Sequence, residues 1–243
     1  MGRSRLTYPI LICATLVAAP AAAQPVFTAG EQQLLEQCGN STLPVDQVIA
    51  ACKAFLADPH VLIMFTARSQ AAVENAYYDL GAALDRLGQF QEAIRSYDAA
   101  LGLNPNDMQA LGNIGADRDE LHDFPQAIED LTRAIAMDPQ EPVLFIDRGR
   151  AYEGLRRYAD ALRDYDHAIV LAPQNPTAYF DRGNAYSEQG QKQQAITDYS
   201  RAIALKPDYA VAFENRGLAY EAIGKHDQAA RDAERSKALM RAE

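Results

Sequence analysis

From residue 74 onward, apolar and small residues recur at three- and four-residue spacing in short blocks, and each block stops at a turn or a proline. Between Pro142 and Asn175, the residues Phe145, Arg148, Gly149, Tyr152 and Leu155 fall on one face of a helix. That helix can begin at Pro142, where a missing N–H costs nothing. Ala161, Leu162, Tyr165, Ala168 and Ile169 share one face of a second helix, which must stop at Pro173 because proline cannot continue it. Gly149 and Ala161 are small where the two antiparallel helices cross, and any larger side chain there would force them apart. One such hairpin leaves an apolar face bare, so it needs a neighbour to cover it.

The same skeleton returns every 34 residues without a gap. Gly81, Gly115, Gly149, Gly183 and Gly217 form one column, and Ala93, Ala127, Ala161, Ala195 and Ala229 a second. Pro105, Pro139, Pro173 and Pro207 form a third, and Gly88, Gly154, Gly190 and Gly224 lie near the inter-helix turns, where they can end the first helix. Five units in this register resemble the tetratricopeptide repeat, a helix-turn-helix unit that stacks on its own kind. The resemblance implies an all-α fold, an α-α superhelix (solenoid) of five 34-residue repeats at 74–107, 108–141, 142–175, 176–209 and 210–243, preceded by an N-terminal helical hairpin. Such scaffolds carry many unrelated functions, so the resemblance specifies a fold rather than a task. The last helix, rich in charge from Asp227 to Glu243, suits the soluble end of a stack.

Residues 1–23 read as a secretory signal peptide: Arg3 and Arg5, then the apolar stretch from Tyr8 to Ala19, then Ala21-Ala22-Ala23 with cleavage after Ala23. The apolar run is shorter than the roughly 20 residues that a membrane-spanning anchor needs. Ile12 before Cys13 does not match a lipoprotein signal. The expected location is therefore periplasmic or secreted. Residues 24–73 form a helical hairpin and linker, with helices from Gly30 to Cys38 and from Val45 to Leu56, the second resembling a degraded repeat helix. An oxidising setting favours a Cys38–Cys52 disulfide; left reduced and buried, the two would pack as small hydrophobes. The run Val61 to Phe65 is expected to pack on this hairpin, with an exposed partner-binding patch as the alternative.

There are 33 acidic residues against 23 Lys and Arg, a formal net charge of −10, and losing Arg3 and Arg5 with the leader enlarges the surplus. Such a surface repels phosphate backbones, which argues against nucleic acid and for basic or apolar protein segments. The four histidines His60, His122, His167 and His226 are scattered and expected on the solvated surface. No catalytic triad, phosphate loop or metal-ligand spacing stands out, so no catalytic residue, metal or cofactor is expected, and the chain reads as a non-enzyme.

Two further expectations concern charge and binding. Arg148, Arg182 and Arg216 share a column, as do Asp130, Asp164, Asp198 and Asp232, and a ladder between adjacent repeats is expected: Asp130 with Arg148, Asp164 with Arg182, Asp198 with Arg216. The resemblance implies that first helices line a groove that takes partner segments. Carried over by position, that groove presents Tyr78, Ala82, Asp85, Gly112, Ala116, Asp119, Ile146, Arg150, Glu153, Phe180, Asn184, Ser187, Glu214, Leu218 and Glu221. It mixes apolar contacts with acids and suits a protein or peptide partner with apolar anchors and positive charge. Chaperone-tail binding through lysines and asparagines is not matched, since only Arg150 and Asn184 could serve. The expected function is an envelope adaptor with no membrane attachment after cleavage, monomeric or weakly dimeric. The alternatives are a self-associating structural solenoid and a docking subunit of a separately encoded envelope enzyme or export system.

Overall fold

A computed structural model describes residues 27–63 and 67–241, and the signal-peptide reading of residues 1–23 lies outside them. Among the described residues there are helices and no strands. The chain divides into two compact units, the first reaching to Asp123 and the second running from Phe124.

The first unit holds α1 (Ala29–Cys38), α2 (Val45–Leu56), the short α3 (Pro59–Ile63), α4 (Ala67–Arg86), α5 (Phe90–Leu103) and α6 (Met108–Glu120). Thr28 caps α1 through a capping box with Glu31, whose carboxylate also hydrogen-bonds the His60 ring. This pair ties the start of α1 to α3 and gives the exposed His60 a role in packing. Val48, Cys52 and Phe55 are buried on the face of α2 that meets α4, the columns expected for a degraded repeat helix. Of the apolar run after Pro59, Val61 is buried in this core, whereas Ile63 is 69% exposed. The remainder of the run falls on side chains outside the description.

Cys38 and Cys52 are joined by a disulfide that pins α1 to α2. The cross-link spans a sequence separation of 14, for which chain-entropy arguments give about 3 kcal/mol of stabilisation. Reduction, or Cys52→Ala, should therefore lower the urea midpoint of the transition that includes α1 and α2. Circular dichroism with and without reductant measures that shift.

The second unit holds α7 (Phe124–Met137), α8 (Pro142–Gly154), α9 (Tyr158–Leu171), α10 (Pro176–Glu188), α11 (Lys192–Leu205), α12 (Ala210–Ala222) and α13 (His226–Met240). Each helix packs chiefly on its sequence neighbours. Within a hairpin the closing contact is one of shape. Tyr165 lies on Gly149, where an added Cβ would sit 2.6 Å from the ring, and Tyr97 on Gly81 and Tyr199 on Gly183 repeat the contact at 2.7 Å. Gly81, Gly149 and Gly183 are thus small because a buried tyrosine occupies the space a Cβ would need.

The turns differ from expectation at one point. Gly88, Gly190 and Gly224 have positive φ, but the corresponding residues of the two middle repeats are His122 and Arg156, at φ 60° and 56°. Gly154, expected near this turn, ends α8 as a helical residue, and a Cβ there would collide with the Phe124 ring of α7. It makes room for a neighbouring helix and does not supply the left-handed residue.

Candidate functional site

The charge ladder exists, but its register is not the expected one. Arg148 donates two hydrogen bonds of 2.8 Å to Asp164, Arg182 two of 2.7 Å to Asp198, and Arg216 two of 2.7 and 2.8 Å to Asp232. Every bidentate pair lies inside one repeat. The cause is the level at which the two helices of a hairpin cross: Gly149 meets Tyr165, so the preceding residues Arg148 and Asp164 face each other as well, and Gly217 lies beside Asp232 and Ala233 where Arg216 pairs in the same way. Asp130 instead pairs with Arg133, one turn along α7 at 3.6 Å. The remaining guanidinium nitrogen does reach the preceding repeat, at Thr132, Asp166 and Ser200 for the three arginines. Bridging between repeats therefore holds, to a column two residues beyond the expected aspartates. Each guanidinium also sits between rings three residues before and four after it, as Arg182 does between Tyr179 and Tyr186. The arginines are structural.

In the first unit, the half-buried Tyr78 accepts a 3.1 Å hydrogen bond from Asn113, which also donates to Tyr97. Burial pushes the Tyr78 hydroxyl up to about 12. Ala82, Asp85 and Ala116 are half-buried, while Gly112 and Asp119 are buried and offer little surface.

In the second unit the expected groove residues divide sharply. Ile146 is 1% exposed and belongs to the core with Phe145, Ala161 and Tyr165, so it is not a groove contact. Arg150, only 13% exposed, is held between Asp147 of its own helix at 3.1 Å and Asp181 of α10 at 2.7 Å. Glu153 accepts a 2.8 Å hydrogen bond from the Tyr165 hydroxyl. Asn184 accepts from Tyr199 and from Asn215, Ser187 accepts from Lys192, and Phe180 packs on Tyr199 and Tyr209. The faces of α8 and α10 are thus an ordered polar network with one aromatic anchor. Of the expected groove residues in this unit, only Glu214, Leu218 and Glu221 on α12 are exposed.

The sequence reading missed the acids that hold Arg150, although the signal was present. Asp79, Asn113, Asp147, Asp181 and Asn215 recur at the 34-residue period, immediately before the leucine, isoleucine and arginine column. Asn113, Asp181 and Asn215 use their side chains to join first helices to each other or to a tyrosine, and Asp147 takes Arg150 one turn along its own helix. Asp79 lies against Gly39 at the end of α1, and burial raises its carboxyl to about 7.

Burial likewise raises Glu153 to about 8. A carboxyl whose folded pKa lies above its unfolded value binds more protons when folded, so its contribution is present at acidic pH and lost as pH rises through that folded value. Stability should therefore decline between about pH 5 and pH 8 as Asp79 and Glu153 ionise. Glu153→Gln, which keeps an acceptor for Tyr165, should flatten the upper part of that decline in urea titrations run across pH.

Among the described residues no group of His, Cys, Asp and Glu is arranged to hold a metal ion, and no helix is long and apolar enough to cross a membrane. What remains are repeated helical hairpins with a fixed polar face, the form of a helical repeat scaffold. Sequence models of the tetratricopeptide repeat match residues 74–107, 120–179, 164–197 and 183–224, and the chain belongs to the tetratricopeptide repeat family. Proteins of this family are interaction scaffolds.

The crystal structure of MamA superposes with a TM-score of 0.59 at 26% identity, covering 67% of this chain and 95% of that one. A tetratricopeptide repeat protein from Parabacteroides merdae gives 0.70 at 20% identity, covering 87% and 80%. YrrB, a repeat protein described as having an unusual peptide-binding site, gives 0.55 at 21% identity, covering 72% and 92%. No curated protein sequence matches the chain.

Proposed function

We propose that this protein is a non-catalytic adaptor of the cell envelope that binds a segment of another protein on its first-helix faces. The observation that carries the reading is the network Asp147–Arg150–Asp181 with Glu153 and Asn184. It fixes polar groups in place before a partner arrives, which lowers the ordering cost of binding. The acidic side chains along these faces favour a partner with positive charge, and Tyr78 and Phe180 supply apolar contact. The peptide-binding site described for YrrB supports the same mode for this chain. The leader-like residues 1–23 and the Cys38–Cys52 disulfide support an exported, oxidising location.

Affinity capture from envelope extracts, followed by titration of the captured segment, tests the proposal. Ala82→Arg and Ser187→Arg place bulk and like charge on half-buried first-helix positions outside the Asp147–Arg150–Asp181 cluster, Ser187 at the loss of the hydrogen bond it accepts from Lys192, and should weaken binding by about tenfold or more. Undiminished binding by both variants, with circular dichroism unchanged, removes the assignment. Cell fractionation of the full chain, with the mass of its N-terminus, tests export.

A further inference from the structure

The last hairpin breaks the glycine–tyrosine rule. Where Tyr97, Tyr165 and Tyr199 lie on Gly81, Gly149 and Gly183, the last repeat has Ala233 in the tyrosine column and Gly217 in the glycine column. The atoms nearest to a Cβ added at Gly217 would be the Ala229 carbonyl oxygen and the Asp232 Cβ, both at 3.4 Å, and the Ala233 nitrogen at 3.8 Å, none of them in a ring. The missing side chain leaves a cleft of about 560 Å³ between α12 and α13, floored by Gly217, Ala229 and Ala233. Leu218, 65% exposed, stands at its edge. In the preceding hairpin the equivalent face is covered: Ile196 and Tyr199 are buried with Ala219 of α12. Among the described residues nothing covers the face of α12 and α13.

This face carries a knob, a hole and both signs of charge. On α12, Glu214, Leu218 and Glu221 form one stripe; on α13, His226, Ala230, Ala233 and Lys237 form another. The helices are antiparallel, with Glu221 level with His226 at 2.9 Å and Gly217 level with Ala229 to Ala233. Glu214 is therefore level with the Lys237 end. A two-fold axis running along the cleft lays α12 of one copy over α13 of another at the same levels. Leu218 then enters the alanine-floored hole, Glu214 meets Lys237 and Glu221 meets His226.

A surface that fits itself in shape and in charge meets the requirement for an isologous contact. We propose that the α12–α13 face is the docking site for a second copy of this chain, giving a two-fold dimer. The proposal stands apart from the adaptor reading, because its readout is the mass of the purified protein alone.

Sedimentation equilibrium over a concentration series from micromolar to millimolar tests it, using the protein as the cell makes it. The wild type should pass from monomer to dimer. Leu218→Glu, which would bury an unpaired charge twice per dimer, should weaken association roughly a hundredfold. Ala233→Tyr fills the hole with the residue that three of the other hairpins use. It should abolish dimerisation while circular dichroism and melting temperature stay at or above those of wild type, which separates lost docking from lost folding. Glu214→Lys should weaken the dimer about tenfold, and adding Lys237→Glu should restore it. A wild type that stays monomeric throughout overturns the proposal. So does wild-type association in both Leu218→Glu and Ala233→Tyr, or a charge swap that restores nothing, since another surface or partner would then be responsible.

Discussion

Tyr165→Ala should lower the stability of the second unit by about 3–5 kcal/mol, the range for removing a fully buried aromatic ring. Tyr165 has no exposed surface, its ring fills the space above Gly149, and its hydroxyl serves Glu153. The reciprocal change has a sign that depends on the ring. In the wild type, Gly149→Ala sets a Cβ 2.6 Å from a Tyr165 ring carbon, so the ring must shift, at a cost of about 1–3 kcal/mol. In the Tyr165→Ala background that obstacle is gone. Gly149→Ala should then stabilise by up to about 1 kcal/mol, because glycine is a poor residue inside a helix. Urea unfolding of the four proteins closes the cycle, and simple additivity would show that the ring does not set the helix spacing.

Arg150→Met should cost about 3 kcal/mol or more, although the position reads in sequence as a binding residue. The loss comes from leaving Asp147 and Asp181 buried without their shared cation. Two companions make this specific. Asp147→Asn and Asp181→Asn in the Arg150→Met background should recover most of the loss, because no carboxylate charge is then left unpaired. The deficit of Arg150→Met alone should shrink as pH falls, since the stranded carboxyls gain a raised folded pKa and are stabilised by protonation. A deficit equal at pH 5 and pH 8 would assign the effect to lost packing of the arginine stem. Client binding should fall in parallel with stability, which distinguishes this residue from Ser187, where binding should change by far more than stability.

The helical elements were largely legible. The second helix of the N-terminal hairpin spans Val45–Leu56 in the structure as the pattern predicted, and α4 begins at Ala67 and runs through Tyr77 into the first repeat. The cysteine pairing was legible as the favoured of two alternatives. The candidate binding faces were less so, because a position in a helical column does not say what the next hairpin places against it. Ile146 and Leu218 read alike in sequence, as apolar groove contacts on first helices. The first is sealed in the core around Tyr165, and the second is exposed beside the cleft that a missing tyrosine leaves.

The linear order of residues determined the 34-residue period, the helix boundaries and the small-residue columns, because these rest on spacing and on the local limits of proline and glycine. It also showed that the arginines are part of the scaffold. Which aspartate each arginine takes was decided by tertiary contact, since the level at which the two helices of a hairpin cross fixes every neighbouring pair, whether a tyrosine or an alanine faces the glycine. The closed state of Arg150 and the open state of the last hairpin have the same origin. Both depend on what fills the space between helices, a quantity that exists only once the helices are packed.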